Sequence, residues 1–212
     1  MRLQNLETIT ERIRAGFQAK NAARDLALEQ SRELIRQCAN AIRAAHRNEF
    51  AAACELLVAA HERATAMVTT LEKYPDLYYA GYTQDALKEY AEASITVALV
   101  QGLELPEPEE LGVEYAAYLN GLGEAAGELR RYALDALRRG EIRTAEDMLS
   151  AMEEIYDTLV TIDYPDALTC NLRRTTDMVR GVLERTRGEL TVAVRQQNLE
   201  EALKAFERRF SA

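Results

Sequence analysis

The chain has 212 residues, 48% of them apolar and 29% charged, with a net charge of −9. That length supports one domain with a sizeable core, and no apolar run approaches the roughly 18 residues needed to cross a bilayer, so neither a membrane span nor a membrane partner is expected. The acidic balance argues against nucleic-acid binding by bulk charge, but residues 1–50 hold nine Lys/Arg against six Asp/Glu, which leaves −12 for the remainder.

The opening MRLQNLETITERIR lacks the apolar stretch of a signal peptide, and a cytoplasmic protein is expected. The first predicted helix spans 3–47, with a bend near Gly16. Thr8-x-x-Glu11 matches a capping box and could mark its true start. At 100° per residue, Arg32, Arg36, Arg43 and Arg47 fall within an arc of about 60°, and Arg14 projects onto it if the helix is continuous. Leu28, Ile35, Cys38 and Ile42 lie on a different face. The stripe reads either as a solvated face or as a phosphate-binding strip, since aligned guanidinium groups suit phosphate oxygens.

Helices are predicted next over 49–73 and 76–101. Within the second, LKEYAEAS (87–94) puts Glu89 and Glu92 on one side, with Asp85 and Thr96 extending the polar strip. LELPEPEELG (103–112) is the clearest loop. Further helices are expected over 109–139, 142–161 and 166–187, and a separate C-terminal helix over 190–208. Gly140, behind Arg138 and Arg139, is a helix stop with cations near the negative end of the dipole. Strand alternation is almost absent, so the expected fold is an all-α, single-domain bundle of about six to seven helices. Cys38, Cys54 and Cys170 form no CxxC pattern and read as small hydrophobes in a reducing compartment. His46 and His61 sit in no HExxH or ExxH arrangement.

NGLGEAAGELRRYAL (120–134) carries three glycines in seven residues. Each costs about 1 kcal/mol in a helix interior, which close approach of a helix or ligand would offset. Glu124 and Glu128, one turn apart, share a face with Gly121 and Asp135. Two acidic pairs on facing helices could hold a hard cation such as Mg²⁺ or Mn²⁺. Spacing alone leaves the solvated-face reading open for both pairs.

Together these segments resemble the translin family, in particular its TRAX (translin-associated factor X) branch. The strongest match is YLNGLGEAAGELRRYALDALRRGEIRTAEDMLSAMEEIYDTL (118–159). SRELIRQCANAIRAAHR (31–47), LKEYAEA (87–93) and LERTRGEL (183–190) support it, and the likeness covers about residues 24–190. Glu89 and Glu92 match the branch's Glu-x-x-Glu pair, and Glu124 and Glu128 match its Asp-x-x-x-Glu pair. The basic cluster that precedes the first pair in translin itself is missing from YYAGYTQ (78–84).

The resemblance implies an Mg²⁺-dependent (Mn²⁺ possible) endoribonuclease of low sequence specificity. Glu89, Glu92, Glu124 and Glu128 would be its catalytic and metal residues, and Arg32, Arg36, Arg43 and Arg47 would hold the nucleic-acid backbone. It implies a homo-octameric shell around RNA, single-stranded or short duplex, with single-stranded DNA as a further ligand. A non-catalytic RNA- or DNA-binding protein of the same fold is the alternative, and a plain helical scaffold, favoured by a pI of ≈ 5.0, is a third. Three departures stand out. Glu124 replaces an aspartate, the insertion between the acidic segments is short, and residues 191–212 lie outside the likeness as an added helix.

Overall fold

A computed structural model describes residues 5–210 of the chain. Among them are nine helices and no strand: α1 (Leu6–His46), α2 (Phe50–Leu71), α3 (Pro75–Tyr78), α4 (Gly81–Gln101), α5 (Pro108–Leu111), α6 (Tyr115–Arg138), α7 (Ile142–Val160), α8 (Asp166–Thr169) and α9 (Leu172–Phe210). α4 is the axis of the bundle. It packs on α1 and α2 on one side and on α6 on the other, and α6 in turn packs on α7 and α9. A helix enclosed in this way should lack an amphipathic stripe, and the run Tyr90–Ala98 is buried without a break.

The contacts between α4 and α6 advance in the same direction along both helices. Tyr78 just ahead of α4 meets Glu114 just ahead of α6, Lys88 meets Glu124, and the backbone at Lys88–Glu92 lies against Gly121. The two helices are therefore parallel, which requires the segment after α4 to run back along the bundle. Tyr118 anchors that return by donating its hydroxyl to the Pro106 carbonyl. The α1–α2 and α6–α7 pairs are antiparallel hairpins with short turns, the second made by Gly140 at φ 78°, as its stop signal predicts.

Several expected boundaries change. The helix over 76–101 is two helices, because Ala80 is extended and the side chains of Thr83 and Gln84 take the carbonyls of Leu77 and Tyr78. The helix over 109–139 is also divided, since Gly112 takes the left-handed conformation that ends α5. Within LELPEPEELG, Glu107 and Glu110 close a capping box. Thr8 and Glu11 lie inside α1, whose N-cap is Asn5, so they form no cap. Residues 3 and 4 of the first predicted helix lie outside the described residues. The break expected between 187 and 190 falls earlier, at Cys170 and Asn171, both at positive φ. From there α9 runs unbroken through Gly188 to Phe210.

Candidate metal centre

The glycines on α6 have different surroundings. A Cβ on Gly121 would lie 2.8 Å from the carbonyl oxygen of Lys88 and 2.9 Å from the amide nitrogen of Glu92. Only glycine lets α6 approach the α4 backbone this closely. Gly123 meets α9 and α7 at Thr175, Val179 and Leu159, whereas Gly127 faces open space. The close-approach reading therefore holds for two of the three glycines and not for Gly127.

Across the Gly121 contact, Glu89 and Glu92 from α4 and Glu124 from α6 converge. One carboxylate oxygen from each lies within 4.8 Å of the others. Glu92 is buried, at 9% exposure, and no hydrogen bond or ion pair reaches its carboxylate among the described residues. Burial, followed by the charges of Glu89, Glu124 and Glu128, pushes its pKa up to about 8. The pKa of Glu89 is raised as well, mainly by burial.

Glu128 is held differently. His46 Nε2 hydrogen-bonds its carboxylate, and that bond outweighs burial and lowers its pKa. Lys88 is the local counter-ion: its Nζ lies 2.7 Å from Glu124 and 3.6 Å from Glu89. Burial opposes the ammonium charge, but the bond to Glu124 and the nearby acids win, and its pKa is raised. The sequence reading missed both of these partners, Lys88 and His46. Lys88 could have been noticed as a cation one turn before Glu92 on the same strip, whereas His46 lies 82 positions from Glu128 and gives no local signal.

The donor set suits a hard divalent cation. All three converging groups offer carboxylate oxygen, the ligand Mg²⁺ and Mn²⁺ prefer. At Glu92, burial first and then the charges of Glu89, Glu124 and Glu128 outweigh the opposing pull of Lys88. A stability test follows. A carboxyl whose folded pKa is raised contributes stability below its ordinary value of 4.5 and loses that contribution as pH rises through about 8. In EDTA the melting temperature is expected to fall between pH 5 and pH 8.5, with most of that slope removed by Glu92→Gln or by saturating Mg²⁺. A slope equal in wild type and Glu92→Gln would mean that Glu92 is not the strained acid.

The four arginines of the predicted stripe are all exposed. Arg36 pairs with Glu33 and Arg47 with Glu49, Arg43 bonds the neutral Asn40, and Arg32 has no side-chain partner among the described residues. At 100° per residue Arg36 points roughly 160° away from Cys38 on α1. Cys38 is buried within the field of Glu89 and Glu92, and burial first, then those charges, pushes its thiol pKa up. On α1 the stripe thus faces away from Glu89 and Glu92.

No protein-family model matches the chain. It is 34% identical to AfC3PO as seen in the structure of an AfC3PO–duplex RNA complex, over 87% of this chain and 95% of that one, with a TM-score of 0.81. The crystal structure of AfC3PO gives the same identity and TM-score over 96% of its chain. The crystal structure of apo-NeC3PO, at 24% identity and a TM-score of 0.79 over 91% of this chain and 99% of its own, shares the fold. An uncharacterized protein of Methanocaldococcus jannaschii is 29% identical over 186 residues, 87% of this chain and 82% of its own.

Proposed function

Because the chain belongs to the translin/C3PO family, we propose that it is a divalent-metal-dependent endoribonuclease of the TRAX-like branch. The observation that carries this reading is the convergence of Glu89, Glu92 and Glu124 within 4.8 Å, on the fold of a protein whose structure includes duplex RNA. These three residues would hold Mg²⁺ or Mn²⁺. When bound, the metal supplies Lewis acidity and an activated water at neutral pH.

The remaining steps belong to the chain's own groups. Glu128, oriented by His46, accepts a proton or positions the attacking water. Burial of Glu92 keeps bulk water from competing for the same oxygens. The exposed arginines hold phosphates and read no bases, so cleavage is weakly sequence-specific. Because the stripe faces away from the carboxylates of its own chain, it serves RNA that also contacts another protomer of a homo-octameric shell. RNA, single-stranded or short duplex, is the ligand this reading favours, with single-stranded DNA second.

The experiment is cleavage of a labelled RNA with and without Mg²⁺, with assembly followed by sedimentation. Cleavage that requires Mg²⁺, from a species several times the 23.8 kDa of one chain, is expected. No cleavage in Mg²⁺ or Mn²⁺ with salt-sensitive RNA binding retained would select the non-catalytic alternative, which the Lys88–Glu124 ion pair favours. For the stripe, Arg32→Ala with Arg43→Ala should flatten the slope of log K against log salt by about 1.4, at roughly 0.7 per phosphate on a single strand. An unchanged slope places the binding surface elsewhere.

A further inference from the structure

A cleft of about 380 Å³ opens between the N-terminal halves of α4, α6 and α9, lined by Lys88 together with the carboxylates Asp85 and Glu124. It therefore adjoins the carboxylate cluster. Its size falls within the roughly 300–1,000 Å³ of small-ligand sites, enough for one nucleotide. Arg174 lines it from α9, exposed and without a side-chain partner among the described residues.

The placement of Arg174 is electrostatically unfavourable. It follows Arg173 in the first turn of a 39-residue helix that has no acidic residue there, at the positive end of the dipole where anions are preferred. Asp166 Oδ1 already accepts from the Asn171 amide just ahead of the helix, and an anion beside Arg174 would add to that partial compensation. The wall behind it is fixed. Buried Asn120 on α6 donates to the Thr169 carbonyl and accepts from the Thr175 hydroxyl, which holds the Cys170–Asn171 turn against α6.

Lys88 is the second cation of the cleft, and it is already engaged. Its ammonium bonds Glu124 and lies 3.6 Å from Glu89, two of the three acids a divalent cation would use. A doubly charged ion competes with a single ammonium for the same oxygens. Lys88, on a flexible four-carbon stem, also borders the cleft.

We propose that this cleft is a phosphate subsite for the RNA strand beside the carboxylate cluster, with Arg174 and Lys88 as its cations and Lys88 released to it when a divalent metal takes Glu124 and Glu89. The inference rests on the metal-dependent nuclease reading. It makes Lys88 both the internal counter-ion of the metal-free cluster and a binding group of the loaded one.

The test is a ligand-observed NMR titration of the full chain with adenosine 5′-monophosphate, with adenosine as the control, in EDTA and in Mg²⁺. The nucleotide should bind at least tenfold more tightly than adenosine, and Mg²⁺ should tighten it at least threefold. Arg174→Ala, a surface change, should weaken nucleotide binding at least fivefold in both conditions. Lys88→Met should abolish the Mg²⁺ enhancement while the variant itself binds Mg²⁺ severalfold more tightly. Equal binding of adenosine and nucleotide, an unaffected Arg174→Ala variant, or an Mg²⁺ enhancement that survives in Lys88→Met would overturn the proposal. If the wild type still cleaves RNA with Mg²⁺ in that case, the subsite alone falls. A wild type that binds no Mg²⁺ removes the nuclease reading and the subsite together.

Discussion

Glu92→Gln is expected to reduce Mg²⁺-dependent RNA cleavage by at least about a hundredfold, the scale on which loss of one preorganised charged group in an active site is felt, while RNA affinity stays within about twofold or improves. Glu92 is the most buried of the three converging acids. Amide nitrogen cannot replace carboxylate charge on a hard cation, so metal affinity should fall with activity. RNA binding should persist, because an uncharged side chain repels phosphate less than a carboxylate does. The variant should also be more stable than wild type in EDTA at pH 8, since it removes a buried acid whose pKa is pushed to about 8. Glu89→Gln and Glu124→Gln should likewise lower metal affinity and cleavage. Glu128→Gln should retain part of the activity, because its carboxylate is directed to His46. Four near-silent substitutions would leave the cluster as a charged face without chemistry.

The second large effect is expected from a single methyl group. Gly121→Ala places a Cβ against the backbone oxygen of Lys88 and the backbone nitrogen of Glu92, neither of which can turn away as a side chain would. α6 must move back from α4, at a cost of about 1–3 kcal/mol for overpacking. The same displacement draws Glu124 away from Glu89 and Glu92, so metal affinity and cleavage should fall in parallel with stability. Gly127→Ala is the internal control. It meets nothing within 4 Å, and relief from glycine in a helix interior should stabilise the protein by about 0.5–1 kcal/mol. Urea unfolding of the two variants measures both signs. A Gly121→Ala protein as stable as wild type would remove the close-approach account of this glycine.

The fold class was readable in the sequence because helical periodicity is strong and the prolines stand only at 75, 106, 108 and 165. The breaks before α4 and after α8 were not readable. Ala80 has no intrinsic reason to be extended, and Thr83 and Gln84 impose it by capturing the carbonyls behind it. Cys170 and Asn171 are held left-handed in a turn that Asn120 fixes from α6, about fifty positions away. Local spacing could place each acidic pair on one helix face, but their meeting depends on the parallel alignment of α4 and α6, which no short-range pattern encodes. Likewise, three glycines announced a close approach somewhere, and only the neighbours of Gly121 and Gly123 decide which of them makes it.

Parallel alignment of α4 and α6 also orders events in time. The α1–α2 and α6–α7 hairpins close short turns and can form as soon as their helices do. Docking α6 beside α4 has to wait for the whole segment from Gly102 to Glu114 to reverse its course, and such non-local closure is slow. The acids are consequently brought together only when α6 docks beside α4. Their repulsion then acts on the folded state rather than on the route to it. Relief of that repulsion, by Glu92→Gln or by a divalent cation, should appear as slower unfolding with an almost unchanged refolding rate.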